Sequence, residues 1–250
     1  MKTFKHIGIA LLIFVSGCVI AQPTTPAQPR LSITSEKGHV YELIETGESD
    51  RFTESVPRNF FFFAKPAASA DDYNGKDRAA AKTSIANAPL QAFSDWNTFF
   101  SKCIVDDQQM RSHQPPITTS PTSTRVAEEQ KNVSINGFVL AVKKEADNDY
   151  HLIVGDLPAP AHLLNVEVTG LPTDPVMRQK LAEPRQTFKD FFKDKVSATS
   201  YLRCNPGIPV HLEGSLFYDI DHPPGAVGPR DLAPKTSWEI HPVSKIVFEP

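Results

Sequence analysis

At 250 residues, with 40% hydrophobic and 22% charged side chains, the chain has apolar material for one large domain or two small ones. A formal net charge of −3 excludes a protein built to attract phosphate backbones without regard to sequence. The 22 prolines cluster in a few places, as they do in loops and linkers between compact pieces.

The first residues address the compartment. Lys2 and Lys5 form a positive leader, and residues 7–15 are a short apolar run. A membrane-spanning helix needs about 20 apolar residues, so this run has the length of a signal-peptide core instead. Val15-Ser16-Gly17-Cys18 follows and resembles the lipobox of bacterial lipoproteins. The resemblance covers four residues and implies cleavage before Cys18, with lipid on its sulfur and on the new amino terminus. Val19 is an uncommon residue after a lipidated cysteine, and ordinary cleavage after Val19-Ile20-Ala21 competes. The expectation is an exported protein, a periplasmic or outer-membrane lipoprotein with residues 1–17 as signal, or else a soluble periplasmic or secreted one. The signal takes Lys2 and Lys5 with it, leaving 24 of the 26 basic side chains against 29 acidic ones.

Two cysteines then remain, Cys103 and Cys204. In an oxidising compartment they are expected to pair, tying the two halves of the chain together. Closing so long a loop stabilises by ~4–5 kcal/mol in the chain-entropy picture. Two buried thiols that never meet are the alternative.

Residues 18–30 are rich in Pro, Thr and Gln and read as an extended tether. Residues 31–113 read as a smaller N-terminal α+β region. Leu31-Ser32-Ile33 and residues 40–44 are strand candidates with Gly38 at the turn. Residues 59–65, NFFFFAK, are a strand buried on both faces or a contact surface. Residues 71–88 look helical. Residues 90–100 place Phe93, Trp96 and Phe100 at helical spacing and predict an amphipathic helix running towards Cys103. Residues 114–131, opening on QPPITTSPTST, read as a linker.

Residues 132–250 carry the clearer pattern. Strands are predicted at 133–142, 150–154, 163–169, 208–219 and 238–248, the first two joined by an acidic turn at 145–149. Asp174-Pro175 opens a helix, a capping residue before proline at the first helical position. Met177, Leu181, Phe188, Phe191 and Phe192 line its apolar face, and Pro184 is expected to kink or split it. Three strands, a helix and two strands is the order of the five-stranded OB-fold barrel. The expected class is therefore mainly β with helices, an OB-like barrel with a smaller α/β region before it. A five-stranded α+β sheet wired differently fits the same pattern.

Candidate chemistry lies at strand ends. Asp147, Asp149 and His151 stand two apart, Asp219, Asp221 and His222 follow the fourth strand, and Glu239 and His241 repeat the i, i+2 spacing on the fifth. Alternation puts such pairs on one side of a strand, where they could bind a divalent metal or activate water. The blander reading is turn residues that bond their own backbone and half-buried polar pairs. No zinc-motif spacing, nucleophile elbow, phosphate-binding glycine loop or Cys-x-x-Cys pair occurs, and no cofactor is implied. Tyr150, Tyr218 and Trp238 offer either a stacking platform for bases or sugars or core packing. With twelve Lys/Arg against fifteen Asp/Glu in residues 132–250, a polyanionic ligand is disfavoured.

Gly137, Lys143, Glu145, Asp147, Asp149, Tyr150, His151 and Leu152, with Glu239, His241 and Pro242 near the end, form a GxxxxxKxExDxDYHL hairpin and an ExHP strand. This pattern resembles a group of secreted bacterial proteins of unassigned function, over at most the last half of the chain. It implies a shared domain and no activity. The expected function is a non-enzymatic envelope module that binds a protein, glycan or small ligand and touches the membrane through its lipid alone, with no nucleic-acid partner. The alternative is a secreted metal-dependent or acid–base hydrolase using Asp149, His151, Asp221, His222, Glu239 and His241. Convergence of the three histidines in a cleft favours the hydrolase, and scatter removes it.

Overall fold

The computed structural model describes residues 30–52, 69–156 and 160–250. The leader with Cys18, most of the tether and the phenylalanine run at 59–65 lie outside the described residues.

The elements in chain order are β1 (Arg30–Thr34), β2 (Val40–Glu45), α1 (Ala79–Lys82), β3 (Leu90–Ala92), α2 (Trp96–Cys103), α3 (Asp107–Arg111), β4 (Asn132–Lys144), β5 (Tyr150–Gly155), β6 (Leu163–Val168), α4 (Pro175–Phe192), β7 (Leu202–Tyr218) and β8 (Trp238–Phe248). The architecture is mixed α/β, dominated by one eight-stranded sheet with few helices. Its strand order is β1-β2-β7-β8-β6-β5-β4-β3, and β4 also pairs with β7. All named pairs are antiparallel except β3 with β4 and β6 with β8.

Four of the five strands of residues 132–250 form within two residues of where alternation predicts them, whereas β7 begins six residues before the expected start, at Leu202, where residues 202–205 pair with β2. On β5, Tyr150, Leu152 and Val154 enter the main apolar core, as do Leu164, Val166 and Val168 on β6 and Trp238 and Ile240 on β8. The intervening residues His151, Asn165, Glu167, Glu239 and His241 therefore point to the opposite face. They are buried there as well. That second face carries the site.

Helix α4 begins where predicted. The Asp174 side chain accepts from the Met177 backbone N–H at 2.8 Å, the usual N-cap bond. Phe188 lies 4.5 Å from the Tyr150 ring and Phe191 stacks on Phe248 at 4.1 Å. Pro184 sits inside the helix without dividing it. The core contact of this face, through Leu181, Phe188 and Phe192, carries the helix past the backbone bond that proline removes.

The N-terminal region departs most from expectation. Of the helix expected over 71–88, only α1 forms. The chain before it is recruited by the strands: Tyr73 donates its backbone N–H to Leu171, Leu171 to Asp71, and Asn74 to Asp147. Gly170 permits this approach, since a Cβ there would stand 2.7 Å from the Tyr73 Cα. The expected helix over 90–100 splits in the same way. Residues 90–92 pair parallel with β4, and the helix starts only after Asp95, whose side chain accepts from the Thr98 N–H at 2.8 Å. Tertiary hydrogen bonds outweigh local helix propensity at both places.

Within residues 114–131, Arg125 is buried and anchors four carbonyls, donating to Leu216, Ala81, Ser84 and His241 at 2.5–2.8 Å. Cys103 and Cys204 are free buried thiols, so the expected covalent tie is not formed in the structure. Cys103 ends α2 and Cys204 pairs with Leu43 across β7 and β2. Burial pushes both thiols up in pKa.

Candidate functional site

Register brings the site together. Lys143 on β4 lies directly across from His151 on β5, and His151 across from Glu167 on β6. Asn165 on β6 pairs with Glu239 on β8, and His241 follows Glu239 on the same side of that strand. Three segments cover this face. Asp50 comes from the stretch after β2, Lys82 from α1, and Asp219 and His222 from the turn after β7.

Glu167 is the hub. Its Oε1 is 3.0 Å from His151 Nε2 and accepts from Asn165 Nδ2 at 2.7 Å, while its Oε2 is 2.9 Å from His241 Nδ1. Asn165 Nδ2 also donates to Glu239 Oε1 at 2.9 Å, and the same oxygen stands 3.2 Å from His222 Nδ1. On the other side of His241, Nε2 is 3.3 Å from Asp149 Oδ2 and 3.1 Å from Thr169 Oγ1. Asp149 Oδ1 accepts from Thr169 Oγ1 at 3.0 Å and from the Gly170 N–H at 2.5 Å.

Two ammonium groups complete the network. Lys143 Nζ donates to Asp50 Oδ2 at 2.8 Å and to Glu145 Oε1 at 2.5 Å. Lys82 Nζ is 2.7 Å from Asp219 Oδ2. Asp50 further accepts from the Tyr201 hydroxyl at 2.7 Å and from the Gly228 N–H at 2.9 Å, which binds the covering segments to each other. Phe52 closes over His222, their ring centroids 3.8 Å apart.

Burial alone would discharge these groups. It works against the charged form of His151, yet the carboxylates of Glu167, Glu145 and Asp50 hold its pKa well above the ordinary imidazole range. His241 is raised against burial by Glu167, Asp149 and Glu239, and His222 by Asp219 and Glu239. Glu167 is held well below the carboxylate range despite burial, by His151 and His241. Burial pushes Glu145 up to about 7. Asp50 beside it is held low against burial by His151, Glu145 and Lys143. The result is a buried ionic network whose members depend on one another.

No protein-family model, curated protein or solved structure matches this chain. The site is therefore read from its geometry.

Of the six candidate catalytic residues, the structure gathers Asp149, His151, His222, Glu239 and His241 into this one network. Asp221 is left outside it, exposed on the turn. Asp219 is inside. The three histidines converge, with the rings of His151 and His222 6.1 Å apart, but not in a cleft: their exposures are 1% for His151, 6% for His222 and 0% for His241. Tyr150, Tyr218 and Trp238 are core residues rather than a stacking platform. Tyr218 and Trp238 meet edge to face at 5.5 Å. Their polar ends dock the α2–α3 segment, Trp238 Nε1 donating to the Val105 carbonyl at 2.8 Å and the Tyr218 hydroxyl to Asp107 Oδ1 at 2.7 Å.

Asn165 and Glu167 escaped the sequence reading, although a signal was present. In LLNVEV two polar residues two apart interrupt an apolar strand, which places both on one face.

A separate cleft of about 570 Å³ opens between the α2–α3 segment and the loops before β6 and β8. Phe100, Ile104, Asp107, His162, Arg230 and Lys235 are among its lining residues. Its size is that of a small-ligand site, and its charges are mixed.

Proposed function

We propose that the protein is an exported, non-enzymatic binding module of the cell envelope, built on an OB-like five-stranded barrel. Support for the barrel is the circuit of pairings β4–β5–β6–β8–β7, which returns to β4, with α4 between its third and fourth strands and β6 parallel to β8. A closed circuit has no free edge.

One observation carries the binding reading. The titratable cluster that a hydrolase would need is sealed, whereas the mixed polar and aromatic cleft is open. The cleft borders the β7–β8 connection, which in an OB-fold is one of the two ligand-contacting loops. Arg230, Lys235 and His162 face Asp106, Asp107 and Asp231 around it. This balance suits a neutral or zwitterionic glycan or peptide rather than a nucleic acid.

Calorimetry on the full chain with soluble muropeptides, short peptides and a DNA oligonucleotide tests the reading. A muropeptide or peptide is expected to bind, with about tenfold weaker affinity in Phe100→Ala. Binding of the oligonucleotide alone, or hydrolysis of the muropeptide, would overturn it. For the anchor, no helix of the described residues is long and apolar enough to cross a membrane. We expect the mass of natively purified protein to show a diacyl or triacyl group on Cys18; cleavage after Ala21 would rule the anchor out.

A further inference from the structure

The cleft between the α2–α3 segment and the loops before β6 and β8 holds about 570 Å³, enough for a few residues of an extended peptide. Its lining sets three carboxylates, Asp106, Asp107 and Asp231, against two cations, Arg230 and Lys235. The balance changes once the partners of each group are followed.

Asp231 accepts from Arg203 Nη2 on both of its oxygens, at 2.7 and 2.8 Å. Asp107 Oδ2 accepts from Arg111 Nε at 2.8 Å, and its Oδ1 from the Tyr218 hydroxyl at 2.7 Å. Asp106 turns Oδ1 to the backbone N–H groups of Gln108 and Gln109, at 2.9 and 3.2 Å, and so caps α3. His162 is engaged as well, its Nδ1 3.0 Å from Asp156 Oδ2. The acids of the cleft are thus committed to neighbours.

Its two cations are not. Lys235 is exposed and has no hydrogen-bond or ion-pair partner among the described residues. The Arg230 side chain is 84% exposed, and its ion pair with Glu48 is 3.9 Å long. A pair so long and so open to solvent contributes little. Both residues lie on the connection between β7 and β8. Much of the remaining lining is apolar or aromatic. Phe100 and His162 have ring centroids 4.7 Å apart, and Ile104 and Leu163 extend that wall.

We propose that this cleft binds the carboxyl-terminal end of a peptide, with Lys235 and Arg230 holding the α-carboxylate and the wall of Phe100 and His162 taking the terminal side chain. The inference rests on the reading of the cleft as the binding site and narrows it. Binding a carboxylate here breaks no strong internal pair, whereas an ammonium would have to compete with Arg111 or Arg203 for its acid. The guanidinium offers a planar fork that matches a carboxylate, and the lysine a mobile ammonium. Two cations suffice for one carboxylate but not for a run of phosphates, and Asp106 at the same cleft repels a polyanion.

The test is calorimetry on the full chain with the tripeptide Ala-Ala-Leu as the free acid, as its carboxyl-terminal amide and as its N-acetylated acid. The free acid is expected to bind, the amide about tenfold or more weakly, and the acetylated acid within about threefold of the parent. Lys235→Gln and Arg230→Gln alter exposed side chains, so the fold should survive them. Each should weaken the free acid about three- to tenfold and leave the amide unchanged, while Lys235→Arg should keep the preference for the acid. Equal binding of acid and amide, or a preference that survives the double Arg230→Gln, Lys235→Gln change, overturns the carboxylate assignment and leaves the cleft standing as a binding site. A larger loss from acetylation than from amidation overturns it too, because the amino end would then be the one recognised. Absence of binding by all three forms also overturns it, and if muropeptides fail as well the binding reading falls with it.

Discussion

Glu167→Ala will lower the unfolding free energy by about 3–5 kcal/mol, the cost of removing one partner from a buried ion-pair network. The size follows from what the carboxylate holds. Oε1 meets His151 and Asn165, and Oε2 meets His241, so truncation strands two imidazoles and an amide in a region buried from solvent. A typical domain has a total stability of about 5–15 kcal/mol, so the loss takes a large share of it and should lower the urea midpoint clearly. Urea titration followed by far-ultraviolet circular dichroism measures the loss. A midpoint within error of wild type would mean that water reaches the network, contrary to its burial. Glu167→Gln keeps the shape and one acceptor, so its loss should be the smaller of the two.

Arg78→Ala is expected to cost a similar 3–5 kcal/mol for a different reason. The guanidinium donates to Glu129 Oε1 and Oε2 at 2.7 and 2.8 Å, and to the carbonyls of Tyr218 and Thr124 at 3.0 Å. This is the bidentate fork that arginine forms and lysine cannot, so Arg78→Lys should recover only part of the loss. Pairing Arg78→Met with Glu129→Leu removes both charges and should cost less than the sum of the single changes. It should not return to wild type, because Glu129 also accepts the backbone N–H groups of Val126 and Tyr218. Additive single and double changes in urea midpoint would show that the pair is not coupled.

Legibility in the sequence followed how locally each feature is encoded. The strand at 238–248 was placed to the residue, because alternation between core and site face is written along it. The Asp174 cap and the start of α4 were legible for the same reason. The segment at 71–88 was not. Its alanines and lysines favour helix locally, but its backbone pairs with Leu171 and Asp147, residues far away in sequence. Among the site residues, the i, i+2 pairs Asp149/His151 and Glu239/His241 could be read directly. Asp221 shares their composition but sits one residue from the buried His222 on a turn, where neighbouring side chains diverge.

By itself the sequence determined the strand periods of residues 132–250, the helix cap, and which face of each strand is polar, since all three depend on residues close together in the chain. Only the tertiary structure decided that those polar faces meet at Glu167 and that the chain before α1 folds over them. It also left Cys103 and Cys204 apart. These outcomes depend on register between strands and on which segment covers the sheet, and both are set by burial and hydrogen bonding between residues up to two hundred positions apart.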